Sequence, residues 1–143
     1  MTAQEASDTI ALAERLGLSG ASFLDTLGPE KVAAACNGAG PERVSARCRR
    51  LLSWWFRIFK PCFDVHDCRF TYLNDGTRTL FDAANAELGL NCRKVADSRY
   101  RWFNPLRYIA RFCGTVIEGT CREFGWGPWQ EAYQKAKNIQ KPG

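Results

Sequence analysis

Lys60-Pro-Cys-Phe-Asp-Val-His66-Asp67-Cys-Arg-Phe70 contains the only histidine of this 143-residue chain, and a carboxylate follows that histidine directly. Proline fits the first position of a helix, so Pro61 predicts that a helix begins there. Histidine is the side chain best suited to transfer a proton near neutral pH, which makes His66 the candidate general base. The alternative for a lone His-Asp pair is a histidine without a catalytic role.

Asp67 has a different predicted role. Neighbouring residues on a helix do not face each other, so this carboxylate cannot orient the imidazole of His66. Carboxylate oxygens are ligands that calcium selects. We therefore predict that Asp67 binds a calcium ion.

Length and composition predict a single folded domain over residues 1–143. The chain is long enough for one hydrophobic core and short for two. Hydrophobic residues make up 45% of it and aromatic residues 13%, which argues against disorder. The net charge of +5 favours anionic partners, namely phospholipid headgroups, nucleic acid or acidic proteins.

The cysteine content predicts disulfide bonds. Seven cysteines are many for a reduced cytosolic protein, no CxxC pair occurs, and one histidine leaves little room for a Cys/His zinc site. Disulfides imply an oxidising compartment, so we expect a secreted or otherwise exported protein. No signal peptide and no apolar stretch of membrane-spanning length is apparent. Because seven is odd, at least one thiol is free or pairs with another chain.

Apolar periodicity and turn signals predict an all-α fold. The predicted helices cover residues 4–16, about 61–72, about 78–90, about 104–124 and 130–140, with short helical turns at 23–27 and 29–35. Asn104 is the expected cap of its helix, with Pro105 at the first helical position. The predicted loops cover residues 91–101 and 125–129.

The helices on either side of the turn Asn74-Asp75-Gly76-Thr77 are expected to be antiparallel neighbours, because their connection is short. Counted back from this turn, His66 and Asp82 lie at comparable depths. Asp82 stands beside the apolar stripe of its helix, where a buried carboxylate would need a hydrogen bond, and the imidazole is one candidate partner. A solvated aspartate is the other interpretation.

The stretch Ala35-Cys-Asn-Gly38-Ala-Gly40-Pro41 predicts a tight loop, because glycine tolerates positive φ and close backbone approach. Inward carbonyls of such a loop suit calcium, and its amides suit an oxyanion. An ordinary turn is the alternative.

Basic and aromatic residues alternate in residues 43–60. Three interpretations stand in order of preference: core packing, docking on a bilayer interface, and binding of single-stranded nucleic acid. If the second holds, four tryptophans are the candidates to meet the membrane. They are Trp54, Trp55, Trp126 and Trp129.

Together these motifs resemble the phospholipase A2 superfamily, and its compact bacterial, phage and fungal branches more than the animal enzymes. Cys36-Asn-Gly-Ala-Gly-Pro41 is similar to the calcium loop, Pro61-Cys-x-x-x-His66-Asp67 to the helical catalytic motif, and Phe81-Asp82-x-Ala-x-Ala86 to the partner helix. The resemblance covers roughly residues 35–92. It implies a disulfide-braced all-α domain whose substrate is a phospholipid in a membrane surface, with no nucleic acid as partner. The basic and tryptophan-rich character of the chain favours anionic membranes.

The resemblance also implies site roles. His66 would be the general base that activates a water, and Asp82 would hold the imidazole tautomer. Asp67 would bind Ca²⁺ together with the main-chain carbonyls of Cys36, Gly38 and Gly40. The calcium and the Gly38 amide would stabilise the oxyanion as the water attacks the sn-2 ester.

The sequence departs from the family pattern after the histidine. Arg69 and Phe70 stand where the family usually has cysteine and tyrosine. Tyr72, Tyr100 or Tyr108 would have to supply the missing hydroxyl to Asp82. Cysteine placement differs too, so the family's connectivity does not transfer, and our expectation for this chain is Cys36–Cys62 and Cys68–Cys92.

Two alternatives to an enzyme remain from the sequence. A non-enzymatic member of the same fold could bind membranes or a protein partner, and the missing tyrosine favours this alternative. A small basic nucleic-acid-binding module is favoured only by charge and aromatic content.

Overall fold

A computed structural model describes residues 1–36 and 46–140, apart from the side chains of residues 46–53 and 56. Within these ranges the chain forms helices and no strands, which confirms the predicted all-α class. The helices are α1 (Ala3–Arg15), α2 (Ala21–Leu27), α3 (Pro29–Cys36), α4 (Ala46–Tyr72), α5 (Arg78–Arg99), α6 (Pro105–Phe124) and α7 (Trp126–Ile139).

Side-chain caps fix several helix starts. Thr2 and Glu5 form a capping box at the start of α1. The Thr77 hydroxyl accepts the Leu80 amide at the start of α5. The Asn104 carboxamide accepts the Leu106 amide in front of Pro105, which confirms the predicted start of α6.

Pro61 does not begin a helix, because α4 starts at Ala46 and runs through it. Proline inside a helix removes one backbone hydrogen bond and costs about 3 kcal/mol. Phe59, Cys62 and Val65 on both sides of it are fully buried. The burial of these neighbours favours one continuous helix and offsets that cost.

The predicted loop over residues 91–101 is wrong, because α5 continues to Arg99. Cys92, Val95 and Ala96 continue the helical spacing of Leu88, and all four are buried. The residues between them are mostly polar and lie outside this stripe, which makes the segment resemble a loop in the sequence.

The predicted turn over residues 125–129 is also wrong, because α7 begins at Trp126. Both tryptophans of this segment pack edge-on against Phe81 of α5, with ring centroids 5.3 Å away for Trp126 and 5.8 Å away for Trp129. This aromatic contact forms a small second core beside the main one.

The helices α4 and α5 form an antiparallel pair at the centre of the described structure, since contacts across them join early residues of one to late residues of the other. Helices α1, α2 and α3 contact α4, and α6 contacts α5. Arg69 and Glu87 form an ion pair between α4 and α5, with Nε and Oε1 3.0 Å apart. No helix within the described ranges is long and apolar enough to cross a bilayer.

The six described cysteines carry free thiols, but four of them approach each other in two pairs. The Cys36 thiol lies beside that of Cys68, and the Cys62 thiol lies beside that of Cys92. The expected pairs Cys36–Cys62 and Cys68–Cys92 are therefore wrong. Cys62 and Cys68 are six positions apart on α4, so their side chains point in directions about 120° apart around the helix axis. Cys62 therefore faces α5, while Cys68 faces the end of α3. Cys48 lies outside the described side chains.

Candidate functional site

The imidazole of His66 projects from α4 to α5, where its Nε2 lies 3.0 Å from Oδ1 of Asn85. Both side chains are buried, His66 with 8% exposure and Asn85 with none. A buried polar pair of this kind costs free energy unless it is hydrogen-bonded, and this contact meets that requirement.

A second hydrogen bond fixes the direction of the Asn85 carboxamide. Its Nδ2 donates to the main-chain carbonyl of Phe81 at 3.0 Å. A carbonyl can only accept, so the amide nitrogen must face Phe81 and the amide oxygen must face His66. The oxygen in turn requires a proton on Nε2. The neutral imidazole then keeps its lone pair on Nδ1, the nitrogen that can act as a base.

The surroundings keep His66 neutral. Burial lowers its pKa below the ordinary value, and the hydrogen bond from Nε2 to Asn85 offsets this only in part. The ring of Phe70 lies 4.5 Å from the imidazole centroid and contributes an apolar wall. A histidine with a lowered pKa is available as a proton acceptor at neutral pH.

Asp82 does not hold the imidazole. It is half-exposed and forms an ion pair with Arg78 of its own helix, with Oδ1 and Nε 3.4 Å apart. The reason is helical phase: the buried positions of α5 are Phe81, Ala84, Asn85 and Leu88, and Asp82 lies on their flank. The predicted contact between His66 and Asp82 is therefore wrong. The sequence does contain a signal for the observed partner of His66, because Asn85 is a polar residue at a buried position of the apolar stripe of α5.

None of the three tyrosines considered as a hydrogen-bond donor to Asp82 supplies its hydroxyl to that carboxylate. Tyr72 donates to the Lys31 carbonyl at 2.9 Å, and Tyr108 donates to the Trp102 carbonyl at 2.8 Å. The Tyr100 hydroxyl is buried without a hydrogen-bond partner.

Asp67 stands next to His66 on α4, and its carboxylate has no hydrogen bond or ion pair among the described side chains. Burial and then the nearby Asp64 carboxylate raise its pKa to about 7, and Lys60 lowers it slightly. Asp64 itself is satisfied by Lys60 at 2.6 Å and Thr9 at 3.2 Å. Asp67 is thus the carboxylate of this group that lacks a cation.

Cys36 ends α3 against the same part of α4. Its thiol lies 3.9 Å from the main-chain carbonyl of Asp64. The Cys68 thiol, burial and the carboxylates of Asp64 and Asp67 all raise its pKa. The last carbonyls of a helix have no partner within the helix, so the Cys36 carbonyl is not bound by α3 itself.

Gly38 and Gly40 lie outside the described residues, so the predicted calcium loop is represented by its first residue, Cys36. Within the ranges 1–36 and 54–140, no group of three or more His, Cys, Asp or Glu side chains could hold a metal ion by itself. A calcium site here would therefore need main-chain oxygens beside Asp67.

The four tryptophans proposed for membrane docking differ in accessibility. Trp129 is 1% exposed, and Trp126 packs on Phe81, so neither presents a full indole ring to a bilayer. Trp55 packs against Phe59, with ring centroids 6.3 Å apart. Trp54 is 45% exposed and remains the accessible member of the set.

No protein-family model matches this chain, and neither does any curated protein or any solved structure.

Proposed function

We propose that this chain is a calcium-dependent phospholipase A2 that hydrolyses the sn-2 ester of glycerophospholipids. The observation that carries the proposal is the hydrogen bond between His66 Nε2 and Asn85 Oδ1 on two antiparallel helices. It leaves Nδ1 as a neutral base, one residue away from a carboxylate that lacks a cation. The resemblance of the surrounding motifs to the phospholipase A2 superfamily supplies the reaction.

In this mechanism Nδ1 of His66 accepts a proton from a water molecule, and the resulting hydroxide attacks the ester carbonyl carbon. The proton then passes from Nδ1 to the departing glycerol oxygen, which releases a fatty acid and a lysophospholipid. Asn85 keeps its oxygen on the Nε2 proton throughout, so the ring does not rotate.

The residues of the candidate cation site fit calcium in their chemistry. A carboxylate from Asp67 and main-chain carbonyls from Cys36, Gly38 and Gly40 would form an all-oxygen donor set. Burial beside Asp64 disfavours the charged form of Asp67, and a cation would remove that penalty. Calcium, when bound, anchors the substrate phosphate and offsets negative charge on the ester oxygen. The Gly38 amide is the proposed second donor to that oxygen.

A second candidate function is a non-catalytic phospholipase A2-like protein that binds membranes or another protein. The observation that favours it is the neutral side chain at the imidazole. Asn85 orients the ring but, unlike a carboxylate, does not offset the positive charge that forms when His66 takes a proton.

Disulfide bracing is part of the proposal. The thiols that approach each other would be joined as Cys36–Cys68 and Cys62–Cys92, tying α3 to α4 and α4 to α5. The second bridge would lie one helical turn from His66 and hold the two helices of the site together. Such bridges persist in an exported protein.

Fatty-acid release from phospholipid vesicles tests the function. The parent should release fatty acid with calcium and none with a chelator, and His66→Gln should release none in either condition. Circular dichroism checks that the variant keeps the helical fold. Equal traces from the parent with calcium, the parent with chelator and the variant would refute the enzyme and leave the binding protein.

A further inference from the structure

The outer side of α6 exposes an apolar surface. Six large apolar side chains on α6 and the turn before it are about half to three quarters exposed. They are Trp102 (72%), Phe103 (63%), Tyr108 (56%), Ile109 (48%), Phe112 (68%) and Val116 (48%), and we call them the α6 outer face. The opposite side of the helix, with Ala110, Gly114 and Ile117, is buried against the core. Helix α6 is therefore apolar on both sides.

The area of the α6 outer face matches a protein interface. A fully exposed aromatic side chain presents about 150–250 Å², so at these exposures the six residues offer on the order of 700 Å². A specific interface of standard size buries about 800 Å² per partner. Apolar patches of this size on a soluble chain mark interaction sites.

Most charges beside the α6 outer face are already paired. Arg107 and Arg111 both bind Asp97, at 2.8 and 2.9 Å. Arg122 binds Glu118 at 2.9 Å. Among the charged side chains at the two ends of α6, Arg101 and Glu123 form no ion pair with any described residue. Within the described part of the chain, Arg101 thus stands unpaired at one end of the face and Glu123 at the other.

We propose that the α6 outer face binds the same face of a second copy of this chain, with the two α6 helices antiparallel about a two-fold axis. Ile109 and Val116 lie at equal distances along the helix from the point between Phe112 and Cys113, so each would meet the other across the axis. Arg101 precedes α6 and Glu123 stands in its last turn, so the two residues mark opposite ends of the face. Antiparallel pairing therefore brings Arg101 of one copy to Glu123 of the other.

The charges favour a second copy over an anionic bilayer. Asp97 offsets part of the charge of the two arginines next to the apolar stripe, and Glu123 lies in line with Ile109, Phe112 and Val116 on the helix surface. An anionic membrane would repel Glu123, whereas a second copy pairs it. This inference does not depend on the proposed enzymatic activity.

Light scattering after size exclusion tests the dimer on the full chain. The parent should have twice the mass of the 16.1 kDa chain. Phe112→Asp places two carboxylates at the axis and should weaken the dimer at least about 100-fold, the loss expected at an interface hot spot. Ile139→Asp is the matched control, because Ile139 is 76% exposed on α7 and lies outside the face.

A charge exchange tests the register with variants that disturb no apolar side chain. Arg101→Glu and Glu123→Arg should each weaken the dimer by up to about fivefold, and the double variant should restore it. A parent that is monomeric at all concentrations would overturn the proposal. Two other results would overturn it as well. One is a Phe112→Asp variant that stays dimeric, and the other is a parent protein that binds phosphatidylglycerol vesicles as a monomer.

Discussion

Gly114 of α6 lies directly against Cys92 of α5, because a Cβ atom placed on residue 114 would stand 2.7 Å from the Cβ of Cys92. That separation is shorter than real Cβ atoms allow. The Cys92 atom is fixed to the α5 backbone and cannot rotate away. The absence of a side chain at residue 114 therefore sets how closely α5 and α6 approach.

Gly114→Ala should lower the free energy of unfolding by about 1–3 kcal/mol, the usual cost of overpacking a tight contact. Urea denaturation followed by circular dichroism measures it. Gly127→Ala is the control, because a Cβ at that helical position meets nothing within 4 Å. We expect it to stabilise the protein by up to about 1 kcal/mol through helix propensity. Equal effects of the two substitutions would contradict the close α5–α6 contact.

Asn85→Leu should remove both stability and activity. The substitution leaves the buried Nε2–H of His66 without an acceptor, which costs about 1–3 kcal/mol. It also frees the imidazole to rotate, so fatty-acid release should fall at least about tenfold. Chemical denaturation and the vesicle assay measure the two effects.

Asp82→Asn is the matched comparison for Asn85→Leu. It removes a half-exposed ion pair with Arg78 and should change stability by less than about 1 kcal/mol. Its activity should stay near that of the parent. An Asp82→Asn variant as inactive as Asn85→Leu would restore Asp82 as the partner of His66.

The sequence predicted features that depend on neighbouring residues. Asn104 and Pro105 mark the start of α6 because capping is a local interaction, and the turn before Thr77 separates α4 from α5 for the same reason. The pairing of those two helices followed from the short connection. These features need no knowledge of distant parts of the chain.

Features that depend on distant contacts were missed. Trp126 and Trp129 are helical because they pack on Phe81, although the glycines and proline around them favour a turn. The predicted pairing of His66 with Asp82 rests on their comparable depths from the turn and on the need of a buried carboxylate for a hydrogen bond. Which side of α5 faces the core decides whether Asp82 or Asn85 is buried. The pattern of apolar residues in the sequence does not define that side to within one residue position.

Oxidation should produce the disulfides Cys36–Cys68 and Cys62–Cys92. With oxidised glutathione as the oxidant, each pair of thiols loses two protons and two electrons to form one S–S bond, and one glutathione disulfide becomes two glutathione thiols. Peptide mapping by mass spectrometry identifies the pairs. Recovery of Cys36–Cys62 or Cys68–Cys92 instead would contradict the thiol contacts.

The Cys62–Cys92 bridge should raise the free energy of unfolding by about 3 kcal/mol in the oxidised protein. The double variant Cys62→Ser/Cys92→Ser is the comparison, measured oxidised and reduced. It should show no gain from this bridge on oxidation. A gain as large as that of the parent would mean that another pair supplies the stabilisation.

Asp67→Asn should stabilise the calcium-free protein at alkaline pH. The folded pKa of Asp67 is raised to about 7 from an ordinary value of 3.8, so the folded state binds the proton more tightly than the unfolded state does. The free energy of unfolding of the parent therefore falls as pH rises from 3.8 to about 7, because Asp67 ionises less readily in the folded state. The full shift corresponds to about 1.4 kcal/mol per pKa unit, and because Asp67 is only partly buried we expect about 2 kcal/mol.

Urea denaturation of parent and Asp67→Asn in a chelator, at about pH 5 and about pH 8, measures this difference. The lowered pKa of His66 acts in the opposite direction but is common to both proteins, so it cancels to first order in the comparison. Added calcium should then stabilise the parent more than the variant, because only the parent offers a carboxylate to the cation. A variant that gains as much from calcium as the parent would remove Asp67 from the proposed site.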